Sequence, residues 1–514
     1  MNKITDVMIL EALRLHGTER AAADALGMAK STFHDRKARL LGDANSPAIK
    51  ISTPSKGIVK RFIVSAVQND TPVDRPFFKN IKAYAKYHNA ELLVLRLPYK
   101  VKKDSKWGVP SKYITDTNYQ ISDRLLICSK MNISPTASDP VSGLDNYAGS
   151  PSVIIGHTKL RMHSVPVGKG EDNKFIYTTG VLTDQNYEQK KAGLKSEFHH
   201  CKGALIVELC DDNSIFVRQL LCDDSKGFYD LDKYVVSGKV HHSSDTVHAA
   251  FWGDIHVEKL DPVVANKAFG IGGCSDNLLD TFRPKKQFLH DLIDFETRNH
   301  HNINNHMHRY LKFIQKDDSV LSQMNLAGEL LISLNRSWTS LVVVESNHDQ
   351  AFQKWLDTAD FRDDPANMEF FLESKLAQIR DVRMGVKHHA LKSALLRTHL
   401  SVASRAEFLF EDDPYYIGGK DRGIRCDVHG HTGSNGGKGS PKVFTKLNTR
   451  MVTGHTHSPC IIEGVWVTPV FAKMEMGYNK GSSSWAQGCV FAYNNLKRTM
   501  LIMDKGRFYA DQSR

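Results

Sequence analysis

Residues 341–349 read Leu341-Val342-Val343-Val344-Glu345-Ser346-Asn347-His348-Asp349. Four consecutive apolar residues, three of them β-branched, are consistent with a short strand buried on both faces. The run then breaks into a carboxylate, a hydroxyl, an amide, an imidazole and a second carboxylate. A buried strand that ends in a cluster of possible ligands is the layout of an α/β active site, where functional side chains gather beyond the carboxyl ends of sheet strands.

The same pattern recurs on both sides of this stretch. Upstream, Ala249–Trp252 leads to Gly253-Asp254-Ile255-His256, and Gln287–Leu289 leads to His290-Asp291-Leu292-Ile293-Asp294. Downstream, Ile424–Val428 leads to His429-Gly430-His431, and Arg450–Val452 leads to Gly454-His455-Thr456-His457. Asp254 and His256, at i and i+2 leaving a strand, point to the same side and can hold one ion. Mixed carboxylate, amide and imidazole donors suit divalent ions such as Mn²⁺, Fe²⁺ or Zn²⁺ rather than a thiolate-selecting site.

Taken together and in this order, D-x-H, H-D-x-x-D, S-N-H-D, H and G-H-T-H resemble the calcineurin-like metallophosphoesterase family, over residues 248 to about 505. The resemblance implies a four-layer α/β/β/α sandwich and two adjacent divalent metal ions, Mn²⁺ first, with Fe²⁺, Zn²⁺ or Mg²⁺ as alternatives. Asp254, His256 and His457 would bind one ion, Asn347, His429 and His455 the other, and Asp291 would bridge them. His348 corresponds to the family's non-ligand histidine, and Asp294 would orient it. Such a pair of ions clamps both the attacking and leaving oxygens at phosphorus and generates hydroxide near neutral pH, so no protein nucleophile is needed. Two positions depart from the family pattern. His290 stands where a glycine usually precedes the bridging aspartate, and Ser346 replaces the glycine before Asn347. Either change would alter its loop while leaving the ligands in place. His431 is the alternative to His429.

Residues 1–41 are dense in Ala, Leu and charge. An amphipathic segment over Ile4–Leu15, Gly17, a Thr18-led segment over Glu19–Leu26, Gly27 and a third basic segment resemble a helix-turn-helix. Lys30, Ser31, His34, Arg36 and Lys37 are the candidate DNA contacts, being near the start of the third helix. A linker follows at 42–60 (GDANSPAIKISTPSKGIVK), and residues 29–60 carry seven cationic against two acidic side chains. Residues 61–247 form the next unit. Phe62–Val67, the helical spacing of Pro76–His88 and Ala90–Leu97 predict a βαβ unit, with strands at Ala204–Leu209 and Ile215–Leu220. This is a Rossmann-like α/β accessory domain of no evident role. The metallophosphoesterase domain takes 248–514.

Several histidines stand outside the motifs. His199-His200 is not expected to form a site, because adjacent side chains diverge. His300, His301, His306 and His308 are expected in a polar, Asn-rich segment near the mouth of the cleft. His388-His389 is expected on the solvated face of a helix over Val386–Leu400.

Composition limits what such a fold can serve. Of 514 residues, 68 are Lys or Arg and 57 Asp or Glu, a net charge of +11, with 41% hydrophobic residues. No apolar run approaches the roughly 18 residues of a spanning helix, and the first ten residues are not a signal peptide. Eight cysteines without a C-x-x-C pair fit a reducing compartment, so a cytoplasmic protein with no membrane partner is expected. A helix-turn-helix joined to a metallophosphoesterase core resembles, in overall layout, the early host-DNA-degrading DNases of tailed bacteriophages, which would place it in the host cytoplasm. The function expected is therefore a metal-dependent DNase acting on DNA, with homo-oligomers possible. The alternatives are a metallophosphatase for nucleotides or phosphoproteins and a DNA-binding regulator with an inactive phosphoesterase fold.

Overall fold

A computed structural model describes residues 12, 16, 18–34 and 57–513. Residues 1–57 and 58–514 form two compact units.

In the first unit, Glu19–Ala25 is helical, and the Thr18 hydroxyl caps it by accepting from Ala21 N–H. Gly27 turns the chain at φ +61°, residues 30–34 are helical, and Ala12, Ala22, Ala23 and Phe33 share a small core. Lys30 and Ser31 are exposed, whereas His34 Nδ1 lies 3.1 Å from Glu19 Oε2. Arg36 and Lys37 lie outside the described residues.

The second unit is mixed α/β. Its first sheet contains three of the five motif-bearing strands of the catalytic half. Glu407–Leu409, Ser340–Val344, Lys286–Leu289 and Val247–Phe251 run parallel, and Gly488–Tyr493 and Arg498–Ile502 continue antiparallel. Alternation explains why residues 341–344 are wholly apolar. Leu341 and Val343 face a core with Met324 and Leu331 of the helix Val320–Leu334, Leu391 of Ala390–Thr398 and Phe352 of Asn347–Thr358. Val342 and Val344 face the opposite way, against Val452, Ile461 and Trp466 of a second sheet. At about 25 cal/mol per Å² of apolar surface removed from water, burial on both faces is what holds such a strand centrally.

That second sheet has ten strands. Tyr416–Ile417, Ile424–Arg425, Arg450–Thr453, Val465–Val467 and Cys460–Ile462 come from the C-terminal half. Arg161–Val165, Lys174–Thr178, Ser152–Ile155, Leu125–Cys128 and Tyr119–Ser122 come from the central stretch. The seam is the antiparallel pairing of Cys460–Ile462 with Arg161–Val165. The boundary expected at 247/248 is thus no break between compact units: both sequence segments supply strands to one sheet, and 58–514 stays whole.

The expected βαβ unit is present. Ile58–Gln68 and Glu91–Leu97 pair in parallel across the helix Arg75–Tyr87, which Asp74 caps, and Gly203–Cys210 and Ile215–Leu221 extend their sheet. Two expectations shift. The strand before His429 spans only Ile424–Arg425, and helix resumes at Ala390 rather than Val386. His389 accordingly caps Ala390–Thr398 and is buried, while His388 bonds Asp381 at 2.7 Å, so neither sits on a solvated helix face. No helix among the described residues is long and apolar enough to cross a membrane.

Candidate metal centre

The strand ends bring the five motifs to one place. Asp254, His256, His290, Asp291, His429 and His457 are all buried to at least 97%. Three groups of their ligand atoms, with His348, lie within 4.8 Å of one another: Asp254, His290 and His429; His256, Asp291 and His348; and Asp254, Asp291 and His457. Asp291 Oδ2 is 3.4 Å from His256 Nε2 and 3.2 Å from His429 Nε2, which puts this carboxylate between two imidazoles. His457 Nε2 lies 3.0 Å from His256 Nε2 and 3.3 Å from Asp254 Oδ2.

Local backbone geometry serves this convergence. His256, Asp291, His455 and His457 adopt φ of +45°, +45°, +75° and +56°. Each left-handed non-glycine residue costs about 1–2 kcal/mol, and such strain persists only where surrounding packing fixes it. At Gly454 any side chain is excluded, because a Cβ would stand 2.1 Å from Asp254 Oδ1. That approach also lets His455 N–H donate to Asp254 Oδ2 at 2.7 Å. The two departures from the family pattern are accommodated without strain, since neither His290 nor Ser346 has a positive φ. The left-handed turn falls on Asp291 itself. Ser346 caps the helix Asn347–Thr358 in a reciprocal capping box with Asp349, so the hydroxyl fixes the helix start that carries Asn347 and His348.

The donor set fits cations. Asp254 Oδ1, Asp291 Oδ1 and Asn347 Oδ1 are buried with no hydrogen-bond partner. Orphaned oxygens of this kind are costly unless something positive satisfies them. Burial, then the neighbouring Asp291 carboxylate, pushes Asp254 well above the usual carboxylate range. Burial acts the same way on Asp291, but His429, His348 and His256 outweigh it and hold that group well below. Burial, aided by His429, lowers His455 to about 4 and His290 to about 3, leaving neutral imidazoles with free lone pairs. With Asp291 ionised beside it, the buried Asp254 carboxyl ionises readily only where further positive charge is supplied.

The remaining expected residues are placed as follows. His429, and not His431, belongs to the cluster; His431 Nε2 instead meets Gln350 Oε1 at 3.1 Å and Glu411 at 3.6 Å. His455 has its ring centre 5.3 Å from that of His429. Asn347, Asp291, Asp294, His348, His455 and His457 line one cleft of about 750 Å³. The expected role of Asp294 is changed in detail. His348 Nδ1 lies 2.6 Å from the Asp294 carbonyl, and 3.7 Å from its carboxylate. The carboxylate instead reaches His256 Nδ1 at 3.1 Å and Lys259 Nζ at 2.9 Å. Asp294 therefore orients two histidines through two different groups. His290 was legible only as a departure from a glycine pattern, yet its Nδ1 lies 3.4 Å from His429 Nδ1 inside the cluster. Lys259 and Trp485, whose ring centre is 4.3 Å from that of His457, carried no motif signal. Of the four histidines expected near the mouth of the cleft, His300, His301 and His308 line it and His306 does not.

No family model and no solved structure matches this chain. Protein A1 of Escherichia phage T5 is 35% identical over 515 residues, covering 96% of this chain and 90% of that protein. At that identity and coverage, the chain belongs to the bacteriophage protein family that includes Protein A1 of phage T5.

Proposed function

We propose that this protein is a dinuclear-metal-dependent DNA phosphodiesterase, a DNase of calcineurin-like metallophosphoesterase type with its four-layer sandwich, active in the cytoplasm of an infected host. The observation that carries the reading is the convergence of Asp254, His256, Asp291, Asn347, His429, His455 and His457 at strand ends, with three orphaned buried oxygens among them. Two divalent cations, Mn²⁺ first, would supply Lewis-acid charge and an activated water at neutral pH.

The chain's own groups account for the rest. Asp254, His256 and His457 would hold one cation, Asn347, His429 and His455 the other, and Asp291 would serve both. The Asp294 carbonyl can only accept, so His348 carries a proton at Nδ1 and exchanges the other at Nε2 with the leaving oxygen. Burial lowers the affinity of His348 for that proton, but Asp291 and Asp294 outweigh burial and raise it, which keeps an acid available. Support for DNA as substrate comes from the polyanion-compatible charge of +11 and from the basic stretch 29–60, within which Lys30 and Ser31 are exposed.

Plasmid DNA incubated with the purified full chain tests this. Degradation with Mn²⁺, abolished by EDTA and by Asp291→Ala or His348→Ala, is expected. Intact DNA alongside rapid hydrolysis of small phosphomonoesters would replace the reading with a metallophosphatase.

A further inference from the structure

Four arginines among the described residues are buried. Three neutralise their charge locally: Arg218 against Glu208 at 2.6 Å and Asp230 at 2.7 Å, Arg298 against Asp364 at 2.6 Å, and Arg507 against Asp212 at 2.8 Å. Arg498, 6% exposed, has no carboxylate partner among the described residues. Its Nη1 donates to the carbonyls of Met451 and Gly464 at 2.8 and 2.9 Å, and its guanidinium lies 5.0 Å from the Trp466 ring centre. Those contacts fix the side chain but do not neutralise it. A buried guanidinium without a counter-ion is expensive, and burial, then the nearby Arg450, pulls its pKa down to about 9.

Arg498 lines a cavity of about 510 Å³. Lys159, 4% exposed, lines it too, with Nζ on the Ala137 carbonyl at 2.6 Å. Lys420, Arg422, Arg450 and Lys497 complete the cationic lining, and among the described residues none of these six cations forms an ion pair. The two lining carboxylates are Asp421 and Glu463, and Glu463 already meets Lys195 at 3.6 Å and His199 at 3.7 Å. The cavity is separate from the metal centre. Arg450 opens the strand Arg450–Thr453 at one end, and His455 and His457 follow its other end. The linings of this cavity and of the metal-centre cleft share no residue.

We propose that this cavity is a binding site for a phosphate group, held by Arg498 and Lys159 at its base and by Arg422 and Arg450 at its rim. Guanidinium pairs suit the forked geometry of phosphate oxygens, and the volume admits a mononucleotide. The phosphate belongs either to a free nucleotide or to a nucleic-acid backbone. The inference does not depend on the metal centre's activity.

Calorimetric titration of the full chain in EDTA tests it, with inorganic phosphate, deoxyadenosine 5′-monophosphate and a short single-stranded oligonucleotide as probes. Phosphate binding at one site is expected, weakened at least tenfold in Arg422→Ala/Arg450→Ala and in Lys159→Met, and retained in Asp291→Ala. Arg498→Met should abolish it. If that variant does not fold, the pair of exposed rim arginines carries the test. Tighter binding of the mononucleotide than of the oligonucleotide identifies a nucleotide site, and the reverse order a backbone contact. No phosphate binding by the unaltered chain, or wild-type affinity in the rim variant, overturns the proposal. Neither result bears on metal-dependent DNA cleavage, so the two readings fail separately.

Discussion

Asp294→Asn separates two roles that one residue plays. The carboxylate lies 3.1 Å from His256 Nδ1 and 2.9 Å from Lys259 Nζ, at a position 2% exposed. Asparagine keeps the shape but offers one acceptor and one donor, so one of these two contacts becomes donor against donor. Lys259 retains Glu296 at 3.4 Å, so the loss falls on His256. Removing a carboxylate that orients a ligating histidine lowers metal affinity about 10–100-fold, which is about 1.4–2.7 kcal/mol. A charge-assisted hydrogen bond contributes about 1.5–3 kcal/mol, the same range. The backbone carbonyl holding His348 is untouched by the substitution. Calorimetric Mn²⁺ titration should therefore show weaker binding, while DNA cleavage at saturating Mn²⁺ stays within a few-fold of wild type. Wild-type Mn²⁺ affinity combined with a large loss of kcat would refute this reasoning, because the carboxylate would then act through His348 instead.

Other expectations follow from the same geometry. Arg218 holds Asp230 down at about 2 and Glu208 below its usual range, with burial opposing in both cases. These depressed carboxylates stabilise the fold above their unfolded pKa values, and that stability is lost as pH falls from about 4 toward 2. Thermal unfolding followed from pH 5 to pH 2 should show this decline, and it should be shallower in Asp230→Asn. Trp485 packs on His457 at the cleft wall. Trp485→Ala should raise KM for DNA roughly tenfold if a base stacks there, in line with about 1–3 kcal/mol per stacked base, and should leave KM for a small aliphatic diester unchanged. Deleting residues 1–41 should weaken DNA binding and reduce the slope of log K against log salt by about 0.9 per lost phosphate contact. Equal affinity in that truncation removes the tethering role of the segment.

How far the sequence could be read depended on whether a signal was local. The convergent polar tips were legible because each is a short polar cluster following an apolar run, and such runs become strands wherever both faces can be buried. The strand before His429 is shorter than its sequence suggests, because Cys426 and Val428 look strand-like although pairing ends at Arg425. His389 is ambiguous in sequence for a related reason: a histidine at a helix N-terminus and one inside a helix look alike in periodicity, and the hydrogen bond from Lys392 N–H distinguishes them. His290 reads in sequence only as a departure from a glycine pattern, whereas the left-handed residue is its neighbour Asp291.

The sequence by itself determined the residue types, their order and the strand-then-ligand pattern, since these follow from hydrophobic periodicity and donor chemistry within ten residues. Only the tertiary structure decided that residues 58–247 and 248–514 share a ten-stranded sheet, because pairing such as Cys460 with His163 joins positions about three hundred residues apart. It alone also decided which oxygens of the cluster lack partners, which group of Asp294 faces which histidine, and that Arg498 is buried with no counter-ion among the described residues. Charge and ligand type are written in the chain, but burial and mutual distance are long-range properties, and those set what each group can bind.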